Sequence, residues 1–170
     1  LAQIDGQPMI RRTAEGLLKS SVRPLVVVTG HEANDIEATL AGLPLSFHHA
    51  PDFADGMSAS LKAGIAAVPA VCDAVLICLG DMPFIRSETF DRLADSFDPA
   101  AGKVAIFPTF QGKRGNPVLL ARALFFNIMR LSGDEGARLL LRAIPDRVGE
   151  VAVDDPGVLR DVDRPDALHP

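Results

Sequence analysis

The stretch AVLICLGDMP, Ala74 to Pro83, decides how this chain is read. Its first six residues are an unbroken apolar run of β-forming character. Such a run is the pattern of a strand buried on both faces, as in a parallel sheet. Gly80-Asp81 ends the run, and Pro83 cannot donate to a continuing ladder. In open α/β sheets ligands gather beyond the carboxyl ends of such strands, so Asp81 is expected to hang from a rigid strand over a cleft. A hard oxygen donor in that place suits Mg²⁺ whose shell is completed by substrate phosphates. Gly, Asp and Pro are also what turns use, with Asp81 then capping the next helix. On this segment alone the turn is the better reading.

Working outward, strand and helix signals alternate. Pro24 to Thr29 (PLVVVT) is a β-branched strand ending at Gly30. Before it, Ile10 to Leu18 carries a helical stripe of Ile10, Ala14, Leu17 and Leu18 that Pro8 can open. Between the two strands lie a helix at Glu32 to Leu40, a shorter strand at Leu45 to His49, and a helix at Met57 to Val68. After Pro83, Ser87 to Phe97 reads as a helix with Ser87 as N-cap and Glu88 in its first turn. Val104 to Pro108 and Pro117 to Leu120 are strand-like, Ala121 to Leu131 and Asp134 to Ile144 helical, and Gly149 to Val153 a last strand. The alternation predicts a doubly wound α/β fold with a mostly parallel sheet, its second half mixed and less regular, in one domain spanning residues 1–170.

Composition agrees with that class. Of 170 residues, 48% are hydrophobic and 23% charged, enough for a substantial core. Net charge is −5 without a polybasic block, which argues against nucleic acid and against an anionic membrane surface as partners. No apolar run approaches the roughly 20 residues of a membrane span. Cys72 and Cys78 lack a second metal-ligand pair, and strand geometry does not favour bridging them. They read as core thiols, consistent with a reducing cytoplasm.

The loops hold the unusual residues. Gly30-His31-Glu32 follows a strand and opens a helix, a place where a ligand can approach closely, although a tight turn explains it equally well. Gly56, Ser58 and Ser60 at a helix start offer amides and hydroxyls without bulk to a nucleotide base or phosphate; a Ser-capped helix is the plainer account. Arg114-Gly115-Asn116-Pro117 reads as a hairpin turn between strands, or as a loop whose Arg114 or Asn116 reaches an acceptor. Gly133-Asp134-Glu135-Gly136 mixes a loop with a helix start. Asp161 and Asp163 point the same way if their segment is extended, but for an isolated Asp-x-Asp a surface acidic patch is the better reading.

Taken in order, IDGQPMIRR (Ile4 to Arg12), GMSASL (Gly56 to Leu61), GDMP (Gly80 to Pro83), RGNP (Arg114 to Pro117), GDEGAR (Gly133 to Arg138) and DVDRP (Asp161 to Pro165) resemble the MobA-like nucleotidyltransferases, and among them the molybdenum cofactor cytidylyltransferases. Each motif is weak alone; together they cover nearly the whole chain. The resemblance implies transfer of a nucleotide from CTP, or GTP, to the terminal phosphate of molybdopterin with release of pyrophosphate. It implies Asp81 and Asp163 as carboxylates on Mg²⁺, with Mn²⁺ as the alternative ion. Gly30, Gly56, Ser58, Ser60 and Gly80 would face the nucleotide, and Arg114, Gly115, Asn116 and Asp161 the acceptor. A molybdoenzyme or its maturation chaperone would receive the product. The family also opens with a strand and a glycine-rich basic loop of the type LAAGxSxRMGxxK, ahead of the IDG segment. This sequence begins after the place of that loop; of truncation and a degenerate member, truncation is the expectation, since the other motifs read as intact. A polypeptide without the loop is expected to bind nucleotide poorly. Another nucleotidyltransferase acting on a different phosphate or alcohol, and a non-catalytic binding domain, share the same fold expectation.

Overall fold

Buried β-branched runs and one-sided apolar stripes settle into alternating strands and helices. The computed structural model describes residues 1–133 and 137–162. A small hairpin of β1 (Gln3–Ile4) and β2 (Gln7–Pro8) leads into α1 (Met9–Leu18). Then come β3 (Val26–Thr29), α2 (Ala33–Leu40), β4 (Ser46–His49), α3 (Met57–Ala66) and β5 (Ala74–Ile77). The second half holds α4 (Ser87–Asp95), β6 (Ala105–Phe110), β7 (Lys113–Arg114), β8 (Val118–Ala121), α5 (Phe125–Ile128), α6 (Arg138–Arg142) and β9 (Val148–Ala152).

β3 and β4 pair in parallel, from Val26 beside Ser46 to Thr29 beside His49. The larger sheet runs β5-β8-β6-β7, with β9 on the other edge of β6. β8 is antiparallel to both β5 and β6, and β9 is parallel to β6. β5, β6 and β9 therefore share one direction and end at the same edge of the sheet, where β8 begins. This is the mixed second half expected of an α/β fold, and it brings the residues after β5, before β8 and after β9 to one rim.

Both faces of the sheet are covered. Leu120 and Ala105 look toward Ile65 of α3, Leu124, Ile128 and Leu141. Their neighbours Leu119 and Ile106 look the other way, toward Leu93 of α4, as the two-residue period of a strand requires. Leu17 of α1 packs with Met82, Ile85 and Phe90 beside Leu76 and Cys78. Leu93, Leu120 and Ile128 have no solvent exposure, and each such side chain contributes about 1.5–3 kcal/mol by leaving water. Cys72 and Cys78 are free thiols.

Four local expectations change. Ser87 is the first helical residue of α4 rather than its cap; Arg86 is the cap, and its N–H goes to the carboxylate of Asp155 at 2.9 Å. The hairpin between β6 and β7 turns at Gln111-Gly112, both with positive φ (50° and 75°), not at Gly115-Asn116. The helix expected over Ala121 to Leu131 is a 3₁₀ turn at Arg122–Leu124 followed by the short α5. Of the helix expected over Asp134 to Ile144, α6 covers Arg138–Arg142, and residues 134–136 lie outside the described residues.

Candidate active site

Asp81 is held from both sides. Just before it, Gly80 lies so close to α1 that a Cβ would stand 2.8 Å from Ile10 Cδ1. The Gly80 carbonyl accepts a hydrogen bond of 3.0 Å from the hydroxyl of buried Thr13, also on α1. Just after it, Met82 and Ile85 are sunk in the core. The Asp81 side chain is half-buried, with Oδ1 shielded from solvent. A rigid strand, a helix and a core anchor thus fix one carboxylate at the rim, which is what a pre-organised site needs.

A strap formed by residues 153–162 crosses the same rim. It leaves the end of β9 and is pinned by Asp155, only 2% exposed. That carboxylate accepts from the Arg86 N–H (2.9 Å), the Thr89 hydroxyl (2.6 Å) and the Gly157 N–H (2.9 Å). Gly157 rides on the backbone of Phe84, where a Cβ would come within 2.4 Å of the Phe84 carbonyl oxygen. Next, the Val158 carbonyl accepts the Asn116 N–H at 2.9 Å. A Cβ on Gly115 would stand 2.2 Å from that same Val158 oxygen, so the strap passes there only because residue 115 has no side chain. Finally the Val162 N–H donates to the Asp81 carbonyl at 3.0 Å. Asp161 is exposed one residue earlier. Asp163, one residue later, lies outside the described residues.

The other candidates fall into two groups. Gly80, Gly115 and Asn116 share the rim with Asp81 and the strap. Arg114 reaches along the sheet, where its Nε meets Glu150 Oε1 at 2.5 Å and its guanidinium lies 5.5 Å from the centre of the Phe107 ring. The remaining candidates gather elsewhere, around Phe53. A Cβ on Gly30 would be 2.6 Å from Phe53 Cβ, so that glycine is accounted for by the ring packed on it. Gly56 caps α3 with φ 107° and ψ 179°, a conformation open essentially to glycine alone. Ser58 is buried and its N–H is spent on the Gly133 carbonyl at 3.1 Å, while Ser60 is half-buried on α3.

Sequence reading passed over Thr13, Phe84, Asp155 and Val158, which build the rim. Asp154-Asp155-Pro156-Gly157 carries a turn signal, and Asp155 does open a 3₁₀ turn at Pro156–Leu159. Its partners at 86 and 89 are far away in the chain and leave no local trace.

The donor chemistry at the rim fits a hard cation. Among the described residues no group of three or more His, Cys, Asp or Glu side chains could hold a metal ion. Mg²⁺, however, commonly takes only one or two carboxylates, the rest of its shell being water and substrate phosphate. Asp81 is a carboxylate of that kind.

Comparison with known proteins defines the class. The family model described as MobA-like NTP transferase domain matches residues 1–148, and the chain belongs to that family of nucleotidyltransferases. Molybdenum cofactor cytidylyltransferase of Escherichia coli K12 is 26% identical over 144 residues, covering 84% of this chain and 70% of that protein. Nicotine blue oxidoreductase of Paenarthrobacter nicotinovorans is 28% identical over 171 residues, covering 96% and 82%. Bifunctional protein GlmU of Syntrophotalea carbinolica is 31% identical over 106 residues, and the match spans 62% of this chain but 23% of that longer protein. Among solved structures, a Mycobacterium tuberculosis H37Rv protein in complex with manganese superposes with a TM-score of 0.82 at 23% identity, over 98% of this chain and 86% of its own. A nucleotidyl transferase of Methanothermobacter does so with a TM-score of 0.82 at 24% identity, over 97% and 79%. These two likenesses show the fold. Among the described residues no helix is long and apolar enough to cross a membrane.

Proposed function

We propose that this chain, as one domain over residues 1–170, transfers CMP from CTP to the terminal phosphate of molybdopterin and releases pyrophosphate. The observation that supports the reading is the 3.0 Å hydrogen bond from the Val162 N–H to the Asp81 carbonyl, which ties the strap to the segment that carries the strand-end carboxylate. Family membership and the likeness to the Escherichia coli cytidylyltransferase support the choice of reaction.

In this reading an oxygen of the acceptor phosphate attacks the α-phosphorus of CTP. A new P–O bond forms, the bond from the α-phosphorus to the bridging oxygen breaks, and pyrophosphate leaves with the electron pair. No protein nucleophile takes part. The chain's task is to hold two anions in line, which accounts for a rim built from packed backbone rather than from reactive side chains. Asp81 and Asp163 would hold Mg²⁺, or Mn²⁺, which when bound neutralises charge on the phosphates. Gly56, Ser60 and Gly80 are assigned to the nucleotide, and Arg114, Gly115, Asn116 and Asp161 to the acceptor; Gly30 and Ser58, expected at the nucleotide, are taken up by Phe53 and by burial. A molybdoenzyme or its maturation chaperone is the proposed recipient, in the cytoplasm, in keeping with two free cysteines.

The test is pyrophosphate release from equal concentrations of CTP or GTP with Mg²⁺ and molybdopterin, using the full-length protein. At least about tenfold faster release with CTP is expected, since a base-reading site discriminates by its hydrogen bonds. A comparable preference for GTP moves the protein to guanylyl transfer, and no release with either nucleotide rejects the proposal. One observation favours a redox role instead, the 28% identity to nicotine blue oxidoreductase. Oxidoreductase turnover without pyrophosphate release selects that alternative.

A further inference from the structure

Two arginines converge on one aromatic ring beside the rim. Arg160 Cζ lies 4.2 Å from the centre of the Phe84 ring, and Arg12 Cζ lies 5.4 Å from it. All three residues hang from segments already fixed around Gly80-Asp81. Phe84 is three residues beyond Asp81. Arg160 is on the strap, two residues before the Val162 N–H that bonds the Asp81 carbonyl. Arg12 is next to Thr13, whose hydroxyl bonds the Gly80 carbonyl.

Their charges are poorly compensated. Arg12 Nη1 meets Asp5 Oδ2 at 2.9 Å, but that carboxyl side chain is 84% exposed, and so open a pair contributes little. Among the described residues Arg160 has no carboxylate partner within ion-pair distance. In a chain of net charge −5, two like-charged guanidiniums drawn to a single ring are an unusual concentration of positive charge. Each is attracted by the π-face, yet each repels the other, and a dianion seated at the ring edge would relieve that repulsion. Guanidinium forks bind phosphate oxygens in pairs, so the group best suited to two such forks is a phosphomonoester.

We propose that Arg12 and Arg160, spaced by Phe84, bind the terminal phosphomonoester of the acceptor and present one of its oxygens to the α-phosphorus of the nucleotide. This rests on the transfer reaction proposed above. The phosphate keeps its bond to the acceptor, gains one P–O bond to the nucleotidyl group, and pyrophosphate departs from the nucleotide. The arginines move no proton; they orient and neutralise.

The test uses phenyl phosphate as a bare phosphomonoester, titrated calorimetrically into the full-length protein and into Arg12→Ala, Arg160→Ala and Arg160→Lys variants, with CTP titrated in parallel. Phenyl phosphate affinity is expected to fall about tenfold or more in each alanine variant and to recover only in part in Arg160→Lys, which keeps the charge but not the fork, while CTP affinity stays within about twofold. Unchanged phenyl phosphate affinity in Arg160→Ala overturns the proposal, as does its failure to bind the unaltered protein. An equal loss of CTP affinity also overturns it, because the pair would then serve the triphosphate. Circular dichroism checks the fold, and Arg160→Gln replaces the alanine variant if that one unfolds. Arginine-dependent phenyl phosphate binding in a protein that releases no pyrophosphate would keep this site and reject the transfer reaction.

Discussion

At residue 115 the absence of a side chain sets the path of the whole strap. With a Cβ 2.2 Å from the Val158 oxygen, Gly115→Ala must push the strap away from β8. A loss of about 1–3 kcal/mol in urea unfolding is expected, the usual cost of forcing atoms into a packed contact. The same substitution should raise the KM for the acceptor. A second residue gives a pH signature. Burial among apolar side chains pushes the Cys78 thiol up from 9.0 to about 12. Its neutral form is favoured by folding, so the unfolded chain gives up that proton first as pH rises. The contribution is therefore complete below pH 9 and declines between pH 9 and about 12. Urea midpoints measured from pH 8 upward should fall across that window in the native protein and fall less in Cys78→Ala. Equal slopes in the two proteins would show that another group is responsible.

Among the elements, the strap and α4 depend on one carboxylate. Asp155 satisfies two backbone N–H groups and one hydroxyl while almost fully buried. Asp155→Ala leaves those donors without an acceptor, and a loss of about 3 kcal/mol is expected from the stranded groups. Thr89→Val removes one donor together with its own need for a partner, so a loss of about 1 kcal/mol should follow in the same urea assay. Secondary structure was legible where a pattern is local: PLVVVT and AVLIC read as strands and hold β3 and β5, and the stripe of Ile10, Ala14 and Leu17 reads as a helix face and lies on α1. Legibility failed where the partner is distant. Ser87 has the chemistry of a cap, but the cap is Arg86, whose N–H is taken by Asp155, 69 residues further along the sequence. Gly115-Asn116 has the chemistry of a hairpin turn, yet Gln111-Gly112 takes the turn and Gly115 serves the strap. The motifs marked Asp81, Gly115 and Asn116 as neighbours of a site, but Thr13 and Phe84 carry no signal apart from their tertiary contacts, and Asp155 carries only that of a turn.

Across the whole molecule, the mixed sheet explains why distant segments meet. Because β5, β6 and β9 run one way and β8 returns, the chain passes the same rim at 80–84, 115–117 and 153–162. In the proposed reaction such a rim would need no reactive side chain, only carboxylates to hold a cation. The central claim is that Asp81 and Asp163 hold one divalent cation between them. Mn²⁺ binding followed by electron paramagnetic resonance, in the presence of CTP, tests it most directly when Asp81→Asn, Asp163→Asn and Asp161→Asn are compared with the unaltered protein. The expected result is a loss of affinity of about tenfold or more in the first two variants, with near-native affinity in the third. Native Mn²⁺ affinity in Asp163→Asn, with the fold intact, would contradict the shared site.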